Sequence, residues 1–451
     1  MVFFYRRHPE TRCAATKKKY FSTYLVLKRK IRCKLEVKMI QVCDAIMGTG
    51  KSSAAITYMN EHKNEKFIYI TPYLDEAERI KKSCPDMRFV EPSNKISKYN
   101  FKKCDHTAAL IKQGRNITTT HQAFKRYTEE MLDDIKQYGY RLIIDENVDV
   151  LERFDFHADD MQLALDAGLV KQDGDAYSLA RDDYKGKLFR ELCQFLKTHQ
   201  LVQMEDVSGT HLFYWVLPPE LITAFQDVII LTYMFKGQSL HHFLEMYDLP
   251  YQYIGIQNLD NGKFRFCNQT RYTPKYVSRL KEMIHVLDNN RMNDIGEDYY
   301  ALSMSWFDKH PDEAERLKTH VSNCVRNIWK DAPANDKMWS TYNDCRQMMS
   351  GKGYTRSFLN FNMKATNAFR NKHYMIYLVN LFMNVGEKTF YYAHGIEADD
   401  DIYALSIMVQ WIWRSAIRDG DEIYIYVPSK RMRELLIGWI DQTSKGGNTI
   451  E

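Results

Sequence analysis

Residues 45–52 read AIMGTGKS and stand between a short apolar run at 40–44 and a helix-like stretch at 51–61. No other feature restricts the fold so tightly. Gly48 and Gly50 let the backbone curl until successive N–H groups point at a chain of phosphates. Lys51 is placed to reach the β- and γ-phosphates, and the Ser52 hydroxyl to ligate magnesium. The helix that begins there adds its positive amino-terminal end to the anion site. The expected nucleotide contacts are Ala45, Met47, Gly48, Thr49, Gly50, Lys51, Ser52 and Ser53, with ATP and Mg2+ as cofactors. Such a loop requires a strand before it, a helix after it, and a sheet in which that strand can sit.

The chain downstream supplies one. Apolar, strand-like runs recur at 67–71, 116–119, 141–144 and 228–232, with helix-like stretches at 74–82 and 124–137. Strands alternating with helices predict an α/β fold whose mostly parallel sheet is covered on both faces. Ligands bind such sheets at the carboxyl ends of the strands. Between Asp145 and Thr232 the chain is longer than one crossover needs, so 154–215 is expected to be a helical insertion, with its best helix at 184–198. A second alternating set follows, with strand candidates at 299–304, 375–379, 390–392 and 423–427. At 451 residues, two core domains are the natural reading. The expected division is a basic extension at 1–38, a first domain at 39–238 carrying the insertion, and a second at 239–451, hinged near 236–249.

Composition narrows the setting. Hydrophobic residues are 45% of the chain and charged residues 27%, enough apolar material for two packed cores. A net charge of +5 permits a basic groove for nucleic acid without demanding one. Nine cysteines include no C-x-x-C pair, which argues against a zinc ribbon and for free thiols in a reducing cytoplasm. No apolar run approaches the roughly 20 residues that span a bilayer, so no membrane partner is expected. Neither an H-E-x-x-H pair nor a G-x-S-x-G turn is present, so zincin and α/β-hydrolase chemistry lack their residues.

Asp145 and Glu146 close the run at 141–144. Asp145 can hold magnesium through water, with Ser52 as the other metal contact, and Glu146 can orient or deprotonate the attacking water. Other strand ends carry Thr71-Pro72-Tyr73 and NITTTHQAF at 116–124. Their hydroxyls and backbone amides suit phosphate contact without reading bases, which makes Thr71, Pro72, Thr119, Thr120 and His121 candidate nucleic-acid contacts. A helix cap by Thr120 and a turn at Pro72 are compatible with that role. In the second half, 410–418 reads QWIWRSAIR, where the four-residue spacing would put Arg414 and Arg418 on one helical face.

In their order along the chain these segments resemble the motifs of superfamily 2, DEAD-like helicases, most of all compact bacteriophage-type proteins. AIMGTGKS resembles motif I, with Ala45 where a generic phosphate loop has glycine. DENV at 145–148 resembles the DExx box. QWIWRSAIR resembles motif VI, although Trp413 replaces the usual glycine and the arginines are four apart instead of three. KATNAF at 364–369 resembles the motif V region and adds Thr366 and Asn367 as nucleic-acid contacts; 231–233 and 302–306 resemble motifs III and IV more loosely. The resemblance spans about 40–433. It implies two RecA-like domains clasping ATP and magnesium, with Lys51, Asp145, Glu146, Gln410, Arg414 and Arg418 as catalytic residues and Arg418 as the favoured arginine finger. It also implies an ATP-dependent helicase or translocase on single-stranded or forked nucleic acid, DNA before RNA. Such a protein would act with replication proteins in phage DNA replication or recombination, in the host cytoplasm. The alternative is a nucleic-acid-stimulated ATPase that remodels protein–nucleic acid complexes without separating strands.

Overall fold

The computed structural model describes residues 39–445 apart from 73, 97–101, 198, 206–209, 260–261, 269–271 and 364–367. The extension at 1–38 and the candidates Thr366 and Asn367 lie outside the described residues. The chain first lays down β1 (Ile40–Asp44), β2 (Phe67–Thr71), β3 (Ile117–Thr120) and β4 (Arg141–Asp145). An excursion follows with β5 (Leu151–Phe154), β6 (Val170–Asp173), β7 (Ala176–Leu179), β8 (Leu201–Glu205) and β9 (His211–Val216). The chain then returns with β10 (Val228–Thr232) and β11 (Tyr251–Tyr253).

Six of these strands form one sheet, in the order β11-β1-β10-β4-β2-β3, and every pairing is parallel. A parallel sheet is covered on both faces, and its strands read as continuous apolar runs. β2 and β10 are accordingly buried at every position. The two-residue period sorts the side chains. Val42, Ile68, Ile70, Leu142, Ile144 and Ile230 pack with Phe124, Met131 and Ile135 on one face. Cys43, Phe67, Tyr69, Ile143, Ile229 and Leu231 pack on the other with Ala54, Ala55 and Met59 of the helix Lys51–Glu61.

The excursion is not the helical insertion that the sequence suggests. β5 to β9 make an antiparallel sheet in the order β5-β9-β8-β7-β6, accompanied by the helices Ala158–Asp166 and Arg190–Leu196. The strands are short, and β6 buries only Val170, so little periodicity betrays them; cross-strand pairing, not local preference, makes them strands. β11 pairs with β1, so the first sheet continues past the expected boundary at 238. The helix Ser239–Met246 occupies the stretch read as a hinge.

The second half contains the hairpin β12 (Gly255–Asn258) and β13 (Phe264–Cys267). Beyond it, β14 (Ile284–Val286), β15 (Lys337–Ser340), β16 (Tyr374–Tyr377) and β17 (Ile423–Tyr426) form a parallel sheet in the order β14-β17-β16-β15. The α/β class with parallel sheets is therefore as the sequence predicts. Two of the strand candidates are not strands. At 299–304 the chain turns through Leu302, at φ 63°, into the helix Met304–Lys309. Residues 390–392 lie inside the helix Val385–Ala393, because Phe-Tyr-Tyr serves a buried helix face as well as a strand.

The two lobes interlock through apolar side chains. Ile46, Tyr233 and Met234 from the first lobe join the core of the second, with Met375, Met408, Trp413 and Trp439. Phe390 and Tyr391 from the second lobe join the core of the first. Trp439 Nε1 donates to Tyr233 Oη at 2.8 Å. Between them Gly237 lies so close to the helix Asp400–Ile412 that an added Cβ would stand 2.9 Å from the Ile402 carbonyl oxygen. Gly237→Ala is expected to cost about 1–3 kcal/mol of stability, as overpacking against backbone does. A lowered midpoint in urea denaturation would register it, and an unchanged midpoint would mean that the lobes separate easily there.

Candidate nucleotide site

Gly50, at φ 86°, ends the loop and caps the helix Lys51–Glu61, and Gly48 is left-handed too, at φ 81°. A Cβ on Gly50 would fall 2.5 Å from the Phe264 ring of β13, so both the turn and the hairpin above it demand glycine. Ala45 N–H donates to Thr232 O at 3.1 Å, which ties the loop to the end of β10. Thr49 Oγ1 donates to Ile46 O at 2.8 Å. The Lys51 ammonium donates to the carbonyls of Ala45 and Ile46. Burial holds its pKa below the ordinary lysine value, against the pull of Cys43, Asp44, Asp145 and Glu146. Met47 is half-buried and its carbonyl accepts from Tyr276 Oη; Ser53 sits half-buried on the first helical turn.

β10 lies between β1 and β4, and the register pairs Asp44 with Thr232 and Leu231 with Asp145, so the acidic strand end stands beside the loop. Ser52 Oγ donates to Asp145 Oδ2 at 3.5 Å, and Tyr69 Oη donates to the same oxygen at 2.8 Å. His121 Nε2 donates to the backbone oxygen of Asp145 at 2.9 Å. Burial pushes the Asp145 carboxyl up to about 7, reinforced by Glu76 and Glu146; Tyr69 and Lys51 act in the opposite sense.

Glu146 takes φ 65° while its N–H donates to Leu231 O at 3.0 Å. This left-handed step presents its carboxylate to the second lobe, where Arg414 Nη2 lies 3.6 Å from Oε1. The Arg414 side chain is only 10% exposed, and its Nε is buried with no hydrogen-bond partner. Asp399 caps the preceding helix Asp400–Ile412, accepting from the N–H groups of Asp401 and Ile402. Gln410 is half-buried in the last turn of that helix.

The helix stops at Trp413, so Arg414 and Arg418 do not share a helical face as the spacing predicts. Arg418 is exposed and lies on the separate 3-10 turn Ala416–Asp419. Partial desolvation, then Arg414 and Arg370, hold its guanidinium below the usual range; Asp419 and Glu146 pull the other way. It is Arg414, not the favoured Arg418, that meets Glu146.

Among the strand-end candidates, Thr71, Thr119 and His121 are buried. Thr120 Oγ1 caps the helix His121–Phe124 by accepting from Ala123 N–H, and it and Pro72 form the half-exposed edge. Two site residues escape a reading of the sequence. Tyr69 sits in the apolar run FIYIT and reads as core; only the parallel register of β2 against β4 brings it to Asp145. Asp44 ends β1 and accepts from Met234 and Phe235 N–H at 2.8 and 3.1 Å; a lone acid beside the glycine loop was its one signal.

In the folded chain Asp145 keeps its proton up to about pH 7, whereas its unperturbed value is 3.8. Between those values the folded state binds the extra proton, so this residue's contribution to stability falls as pH rises. Asp145→Asn is expected to be more stable than the parent at pH 8, by on the order of a few kcal/mol, with the gap closing toward pH 4. Urea denaturation at the two pH values measures it; equal stability at pH 8 would mean that the carboxylate is solvated.

Residues 278–440, which include β14 to β17 and both arginines, match the family model described as the YonV C-terminal Rossmann-like domain. The SPbeta prophage-derived protein YonV of Bacillus subtilis (strain 168) is 34% identical over 416 residues, covering 90% of this chain and 99% of that protein. Among solved structures, an XPD helicase aligns at 10% identity over 98% of this chain and 100% of that chain, with a TM-score of 0.45. S. tokodaii Xpd4 aligns at 10% identity over 94% and 97%, also with a TM-score of 0.45. With a third of its residues shared along nearly the whole of a prophage relative, the chain belongs to the YonV family.

Proposed function

We propose that this protein is a nucleic-acid-dependent ATPase of the superfamily 2 helicase or translocase type. One observation carries the reading: Arg414 of the second lobe lies 3.6 Å from Glu146, whose neighbour Asp145 meets Ser52 of the glycine loop. Lysine, hydroxyl, two carboxylates and a guanidinium from two lobes thus surround one cleft. The donors fit ATP and Mg2+. The loop N–H groups and Lys51 would hold the phosphates, and the Ser52 hydroxyl with the Asp145 carboxylate is an oxygen set suited to Mg2+. Bound there, the metal would neutralise phosphate charge. Glu146 would orient the attacking water, and Arg414 would leave it to stabilise charge on the phosphate being transferred.

Because Arg414 comes from the other lobe, turnover is coupled to how the lobes meet, and alternating closure would shift the grip on a strand. Backbone contact at the Pro72 and Thr120 edge would give no sequence preference. The expected partner is nucleic acid, single-stranded or forked DNA before RNA, in a protein whose relative is prophage-derived. A remodelling ATPase that does not separate strands uses the same site, and a strand-displacement assay distinguishes the two.

Lys51→Ala is expected to abolish ATP turnover while the chain stays folded; turnover at the parent rate would refute the assigned loop. Arg414→Ala is expected to lower turnover about a thousandfold with nucleotide binding largely kept, and Arg418→Ala to lower it less. ATPase rates measured side by side with single-stranded DNA, duplex DNA and RNA test the partner. A rate indifferent to all three would overturn the nucleic-acid reading.

A further inference from the structure

On the helix that follows β10, two adjacent histidines are buried, and an exposed acid lies one turn on. We propose that His241, His242 and Glu245 form a binding site for a borderline transition-metal dication of the Zn2+ class, at the junction between the two lobes. His241 and His242 are 7% and 2% exposed. Both ring nitrogens of His242 and the Nδ1 of His241 are buried without a hydrogen-bond partner. A buried imidazole must carry an N–H or a lone pair toward something, and three unanswered nitrogens in one place are rare in a packed interior. One donor atom from each of the three residues can be chosen so that all lie within 4.8 Å of one another, and His241 Nε2 is 3.4 Å from Glu245 Oε1. Donors on a tetrahedral zinc stand about 3–3.5 Å apart, given bonds of about 2.0–2.1 Å, so modest side-chain rotation closes the set.

The surroundings suit the ligand. A neutral imidazole presents a lone pair, the form that binds metal. Two imidazole nitrogens and one carboxylate oxygen select zinc-like ions over Mg2+ or Ca2+, which prefer all-oxygen sets. The Tyr391 ring lies 4.9 Å from that of His242, and its hydroxyl is likewise buried without a hydrogen-bond partner. Tyr391 lies on the helix Val385–Ala393 of the second lobe, so an ion here would stiffen the contact between lobes. The proposal does not depend on the ATPase reading.

The test is calorimetric titration of metal-stripped full-length protein with Zn2+, and Co2+ titration followed by visible absorbance. One equivalent bound at micromolar affinity or tighter is expected, with d–d bands of a four-coordinate ion and a raised melting temperature. Glu245→Gln, a change at an exposed position, should weaken binding at least tenfold, and His242→Gln should abolish it. No stoichiometric binding by the parent, or binding unaltered by Glu245→Gln, would overturn the assignment.

Discussion

Glu146 occupies a backbone conformation that costs an ordinary residue about 1–2 kcal/mol, and the site is arranged around it. At φ 65° the chain turns directly after Asp145, so two consecutive acids face different partners. Asp145 looks back to Ser52 and Tyr69 on its own sheet, while Glu146 looks across to Arg414. In a continued β conformation, alternation would send these side chains to opposite faces of the sheet. The anchor of the turn is the Glu146 N–H bond to Leu231, which spends a β10 carbonyl on holding the acid in place.

Asp145 fits its buried place by keeping its proton. Its carboxyl is enclosed by the sheet and flanked by Glu76 and Glu146, which all disfavour its charge. Tyr69 and Lys51 only partly offset this. The opposing displacements of Lys51 and Asp145, one lowered and one raised, share a cause in burial. Groups held this way gain most from a ligand that brings both phosphate negative charge for the lysine and a cation for the carboxylate.

The lobes are joined by more than the ion pair. Trp439 donates to Tyr233, Ile46 of the glycine loop packs in the second core, and Tyr391 packs in the first. The loop that would hold phosphates is thus in apolar contact with the lobe that supplies Arg414. A change at either place is felt at the other through packed side chains that resist small displacements.

Much of this was legible in the chain itself. The glycine loop, the acids after 141–144 and the alternation of apolar runs depend on nearest neighbours along the sequence, where glycine freedom and a two-residue period act. What only tertiary structure decided depends on partners far away in sequence. Strands β5 to β9 carry too little local pattern to be told from helix and exist through pairing. β11 joins the first sheet because β1 has a free edge there. Tyr69 reaches Asp145 only through the register of β2 on β4. Arg414, rather than Arg418, meets Glu146, because the helix ends before Trp413 and Arg418 falls on a separate turn. Short-range chemistry named the groups; which of them meet was settled by strand register and by where helices stop.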